Sequence, residues 1–88
     1  MTTKDIAIIY INENNETCCH IFKQDDISDV FLRHINLANK YKQDPLNPEI
    51  QESLEWIIDE CEDSENIKEP VNLTAYDVYI IMHSYLKK

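Results

Sequence analysis

The chain opens with a segment, Asp5–Ile11 (D-I-A-I-I-Y-I), that is β-branched and apolar at both sets of alternating positions. That is the pattern of a strand covered on both faces. A polar, Asn-rich stretch, Asn12–Glu16, leads into Thr17–Phe22 (T-C-C-H-I-F), which reads as the return strand of a hairpin. A lone hairpin is marginal in water, so helices must cover it. Asp25 or Asp26 is a suitable N-cap for the first of these, and Asp29 adds charge to its favourable first turn. From Ile27 the apolar residues Phe31, Ile35 and Ala38 recur at helical spacing, with Val30 and Tyr41 beside them, up to about Lys42 before Asp44-Pro45. His34 falls on the same side and reads as a hydrogen-bonded core residue rather than a ligand.

Asn47-Pro48 is an N-cap followed by proline at the first helical position, which predicts a second helix over Pro48–Asp63. A polar connection follows from Glu62 to Glu69 and is closed by Pro70; within it, Ile67 is a weak signal for a short third strand. A third helix is expected from Asn72 or Thr74, where Thr74-x-x-Asp77 resembles a capping box. Ala75, Val78, Met82, Tyr85 and Leu86 would form its main apolar face, with Tyr76, Ile80 and His83 on a second, roughly opposite face. A helix apolar on two sides is either central in the fold or half of an interface, so this second face is a candidate contact for a homodimer or a partner. The expected architecture is α+β: a single domain of residues 1–88, with an N-terminal antiparallel β-hairpin, and the option of a third short strand, packed on three α-helices.

Composition narrows the function more than the fold. A chain of 88 residues with 43% hydrophobic content can fill one modest core. Its longest apolar run, Ile6–Ile11, falls far short of the ~20 residues of a membrane span. The start Met-Thr-Thr-Lys-Asp lacks the layout of a signal peptide, so the expected location is cytoplasmic. Glycine is absent, which removes every glycine-rich phosphate loop and leaves positive-φ positions to Asn and Asp. Cys18, Cys19 and Cys61 are an odd set that reads as reduced thiols; a site built from Cys19, Cys61 and His83 has no supporting ligand spacing, and neither a metal nor a cofactor is expected. His20, His34 and His83 have no nucleophile at motif spacing, so no catalytic residue is assigned and the chain does not read as an enzyme.

The net charge of −9 argues against direct binding to nucleic acid or to an anionic membrane. It is also concentrated. The stretch Glu49 to Glu69 holds nine acids and one base, whereas the rest of the chain is nearly balanced. On a wheel at about 100° per residue, Ile50, Leu54, Ile57, Ile58 and Cys61 form one stripe, and Glu49, Glu52, Glu55, Asp59, Glu60, Glu62 and Asp63 gather on the opposite side together with Trp56. Six like-charged pairs three or four residues apart would repel by about 0.2–0.5 kcal/mol each, roughly 1–3 kcal/mol in all. Acids in the last turn also oppose the helix dipole. Seven carboxylates along about 21 Å of helix approximate the spacing of phosphates on one DNA strand, ~3.4 Å apart. A basic nucleic-acid-binding groove could take such a face in place of its own ligand, with Trp56 as an apolar anchor among the charges.

In its acidic run Glu49–Glu69 and its small size the chain resembles the phage-encoded anti-defence inhibitors, the anti-CRISPR and anti-restriction proteins, several of which mimic DNA. The resemblance is one of class and transfers no residue roles. It implies that the target is a nuclease or a surveillance complex. The residues expected to contact such a basic protein partner, Glu49, Glu52, Glu55, Trp56, Asp59, Glu60, Glu62 and Asp63, come from the charge pattern of the second helix itself. Two other readings stay open on the residues alone: an immunity protein or antitoxin that neutralises a basic nuclease toxin, and a homodimeric adaptor that acts through Tyr76, Ile80 and His83.

Overall fold

The computed structural model describes residues 4–86. Strands β1 (Asp5–Ile11) and β2 (Thr17–Phe22) form the expected antiparallel hairpin, with Ile6 opposite Phe22 and Ile11 opposite Thr17. Its connection is organised by Asn12, whose Oδ1 accepts from the backbone N–H groups of Asn14 and Glu16, both at 3.0 Å. Asn15 takes the left-handed position at φ 62°, the role glycine would fill in most hairpins.

Helix α1 (Asp29–Ala38) is shorter than its apolar pattern suggests. Its cap is Ser28, whose Oγ accepts from Phe31 N–H at 3.1 Å, while Asp25 and Asp26 sit in a preceding 3₁₀ turn. Helix α2 (Pro48–Asp63) has the expected bounds: the Asn47 side chain accepts from Glu49 N–H at 2.9 Å, and Pro48 opens the first turn. Gln51 on its first turns donates to the carbonyls of Pro45 at 3.1 Å and Tyr85 at 2.8 Å, which ties α2 to the end of the chain.

The third helix is not present. Asn72 does cap, accepting from Thr74 N–H and Oγ1, but it caps only a 3₁₀ turn, Leu73–Ala75. The chain then continues as strand β3 (Tyr76–Met82), and another 3₁₀ turn at His83–Tyr85 follows. The sheet is mixed, with order β2-β1-β3 and β3 parallel to β1. Among the described residues the fold is therefore α+β with two α-helices and three strands. The physical reason lies in both the segment and its neighbour. Tyr76–Met82 is aromatic and β-branched at nearly every position, and β1 has a free edge whose backbone groups need partners. The candidate third strand at Ile67 is instead a brace: Ile67 N–H donates to the Cys19 carbonyl at 2.7 Å, and Asn66 Oδ1 accepts from Cys19 N–H at 3.1 Å.

Register divides the sheet into two faces. Ile6, Ile8 and Tyr10 of β1 stand beside Phe22, His20 and Cys18 of β2 and Asp77, Tyr79 and Ile81 of β3. This face meets Phe31, Ile35 and Ala38 of α1 and Ile50, Leu54, Ile57, Ile58 and Cys61 of α2 in the core. Both helices thus lie on one side. The other face carries Ala7, Ile9 and Ile11 with Ile21, Val78, Ile80 and Met82, none of which belongs to that core.

Candidate functional site

Helix α2 presents the carboxylates as its spacing predicts. Glu49, Glu52, Glu55, Asp59, Glu62 and Asp63 are exposed, and Glu60 is half-buried. Among the described residues the one ion pair joins Lys23 to Asp5 at 3.6 Å, away from this helix. Among the described residues no cation pairs with the α2 acids, and Glu62 alone has a side-chain partner: its Oε2 accepts a 3.3 Å hydrogen bond from Tyr10 Oη. Burial and the Glu62 carboxylate together raise the Tyr10 phenol well above its ordinary pKa of 10.0, so it stays a donor. One end of the acidic face is therefore fastened to the central strand.

Trp56 is placed differently from its neighbours on the wheel. It is half-buried in the seam between the helices, edge-on to Phe31 at 5.5 Å and 83°, and stacked on His34 at 4.6 Å and 24°. A wheel with a single core direction misses this, because α2 is contacted on two flanks. The sheet covers its aliphatic stripe, while α1 covers the flank about 40–100° from Glu52, where Trp56 and Ser53 lie. Ser53 is small and buried, which lets α1 approach, and its Oγ lies 2.9 Å from His34 Nδ1. His34 is thus the hydrogen-bonded, half-buried histidine its position suggests. Ser53 is 1% exposed, and its contact with His34 packs α1 against α2.

The remaining candidates are dispersed. Tyr76 and Ile80 lie on the sheet face turned away from the helices, Tyr76 half-buried and Ile80 61% exposed, while His83 follows the strand in a 3₁₀ turn. The shared face of Tyr76 and Ile80 survives the change from helix to strand because a four-residue spacing satisfies both periods. Cys61 is fully buried against the core, and burial pushes its thiol up to about 12. Cys19 lies on the opposite face of the sheet from Cys18, so Cys19, Cys61 and His83 do not converge. A groove of about 320 Å³ runs between the end of α1 and β3 past Tyr41, Lys42, Val78 and Tyr85, and no acid of α2 lines it.

Where α2 ends, His20 forms a buried polar link. Its Nδ1 is 2.8 Å from Ser64 Oγ and 3.2 Å from the Glu65 carbonyl. Because the Ser64 hydroxyl donates to the Cys61 carbonyl at 3.1 Å, the proton of the neutral imidazole belongs on Nδ1. Burial lowers the His20 pKa from 6.5, so the folded protein resists a proton that the unfolded chain accepts. Stability should therefore decline as pH falls from 6.5 toward the lower folded-state pKa. Thermal melting between pH 7.5 and 5.5 is expected to show a steeper loss for the wild type than for His20→Asn, which keeps a donor near the Nδ1 position without titrating. Parallel pH profiles would contradict the assignment.

Compared with protein-family models, curated proteins and solved structures, the chain matches none. The geometry is thus the basis for a functional reading. It holds one feature built at a cost in helix stability, the acidic face of α2. It also holds a second apolar sheet face, on which Tyr76 and Ile80, grouped by their spacing in the sequence, both lie. The signal for the latter was the two-sided apolar pattern of Asp5–Ile11. Among the described residues, no helix is long and apolar enough to cross a membrane.

Proposed function

We propose that this protein is a cytoplasmic inhibitor that binds a basic nucleic-acid-binding protein through the exposed carboxylates of α2 and occupies its nucleic-acid groove. The observation that carries this reading is an acidic face about 21 Å long, without an ion pair among the described residues, on a helix whose opposite side is fixed in the core. Glu52, Glu55, Asp59, Glu62 and Asp63 are its exposed centre, and Glu49 and Glu60 flank it. Such a face attracts a cationic groove over long range and gives fast, salt-sensitive association. The partner class is a nuclease, or a restriction or CRISPR surveillance complex, for which a row of carboxylates can stand in for phosphates.

The test is capture from a bacterial lysate at low and high salt, run beside a variant in which Glu52, Glu55, Asp59 and Glu62 are all changed to Lys. The expected result is a nucleic-acid-binding protein held by the wild type at low salt, lost with the variant, and released from a labelled duplex when the wild type is added. The helical circular dichroism of the variant should be unchanged. Capture that is indifferent to the four reversals would overturn the reading.

A further inference from the structure

We infer that the outer edge of β3 is the docking site of an extended, acidic segment of a partner polypeptide, which adds to the sheet as a fourth strand. The two edges of the sheet differ. Along β2 the edge is covered: Cys19 donates its N–H to Asn66 Oδ1 at 3.1 Å and accepts from Ile67 N–H at 2.7 Å. Strand β3 ends the order β2-β1-β3 on the other side and pairs with β1 alone. Every second residue of such a strand turns its N–H and C=O away from its neighbour. Among the described residues, no hydrogen bond from outside the sheet reaches residues 77–81. Natural edges are blunted by bulges, prolines or charges. Here the register runs unbroken from Asp5 beside Tyr76 to Ile11 beside Met82, and the one charged residue of β3, Asp77, stands near its start.

An open row of amide donors and carbonyl acceptors recognises an extended backbone, and the side-chain sites beside it decide which one. Such a site adjoins this edge. The groove of about 320 Å³ has Val78, Tyr79 and Ile80 on one wall and Tyr41 and Lys42 on the other, with Tyr85 stacked on Tyr41 at 4.1 Å. No residue of β1 lines it, so it lies on the outer side of β3. Its volume is at the small end of the ~300–1,000 Å³ of ligand sites, which suits one or two side chains of a strand rather than a whole ligand. Lys42 is exposed, is the one charged residue of the lining, and has no ion pair among the described residues. It selects an acidic side chain on the incoming strand. A second copy is a poorer occupant. Its β3 is flanked by the same wall, which would meet this one across a two-fold axis, and both chains carry −9.

The probe is a fluorescein-labelled heptapeptide of alternating valine and threonine with a central glutamate, matched to the seven residues of β3. Anisotropy against the full chain, up to about 1 mM, should show saturable binding. Two N-methylated forms, one at each set of alternate amides, distinguish strand addition from any other contact. Methylation of the set that faces β3 should abolish binding, and methylation of the other set should leave affinity within about twofold. A central lysine in place of the glutamate should weaken binding by about threefold to tenfold, and Lys42→Glu should reverse that preference. In the complex, amide exchange at alternate residues of 77–81 should slow by more than about tenfold. No binding at about 1 mM, equal loss from both methylated forms, or a preference unchanged by Lys42→Glu would overturn the inference. A dimer of the chain alone that the peptide dissociates would assign the edge to a second copy and overturn it too. Reversing Glu52, Glu55, Asp59 and Glu62 should not alter peptide binding, so this outcome is separate from that of the α2 reading.

Discussion

Changing Glu52 and Glu55 to Gln and Asp59 to Asn is expected to make the protein more stable while removing its affinity for a basic partner. These three side chains take part in five of the six repulsive pairs on α2: Glu49/Glu52, Glu52/Glu55, Glu55/Asp59, Asp59/Glu62 and Asp59/Asp63. At about 0.2–0.5 kcal/mol each, their removal should return roughly 1–2.5 kcal/mol. For a domain of this size that is a rise in melting temperature of roughly 4–15 °C. All three residues are exposed and none makes a hydrogen bond or ion pair among the described residues, so the substitutions remove repulsion without breaking a contact. The gain should shrink in high salt, where the wild type is already relieved by screening. Affinity for the captured partner should fall at least about a hundredfold, as three of the central charges vanish from an association driven by charge. A variant that melts with the wild type at both salt concentrations would show that the face is not self-repelling, and the case for a selected field would be lost.

What the sequence disclosed depended on how many independent signals agreed. For α2 there were three: Asn47 and Pro48 at the start, one aliphatic stripe, and a polar connection from Glu62 to Glu69 at the exit. The structure places the helix at Pro48–Asp63 as read. Helix α1 had a stripe but competing caps; Ser28 caps it, and Ile27 remains outside as an extended residue packed on the core. At Tyr76–Met82 a true local signal misled. The Asn72/Thr74 cap is real, but one capped turn does not propagate when the following residues favour extended backbone. The decisive term there is non-local: β1 lies seventy residues upstream and offers an edge on which this segment pairs in parallel. Spacing along the chain contains no trace of that edge. That Tyr76 and Ile80 share a face was legible, but that this face is one side of a sheet was not, since it depends on both helices choosing the other side.

Trp56→Ala should cost stability rather than partner affinity, because the ring belongs to the seam between α1 and α2. Its indole meets Phe31 edge-on and His34 face-on, and it packs against the core cluster while remaining half-exposed. Truncating a fully buried aromatic costs about 3–5 kcal/mol; for a ring left half open about 2–4 kcal/mol is expected, a large part of the 5–15 kcal/mol available to a domain. Trp56→Phe should recover roughly half of that, since a smaller ring can keep the contact with Phe31. Denaturant unfolding measures both. The imidazole protons of His34, which lie over the indole, should move downfield in the NMR spectrum of the alanine variant as the ring current is lost. An alanine variant that keeps the wild-type midpoint but binds the captured partner tenfold more weakly would return Trp56 to the surface as an anchor. If the ring is structural, recognition by α2 has no apolar centre. It must then rest on the row of carboxylates alone, and its affinity should fall steeply with salt in proportion to the number of charges engaged.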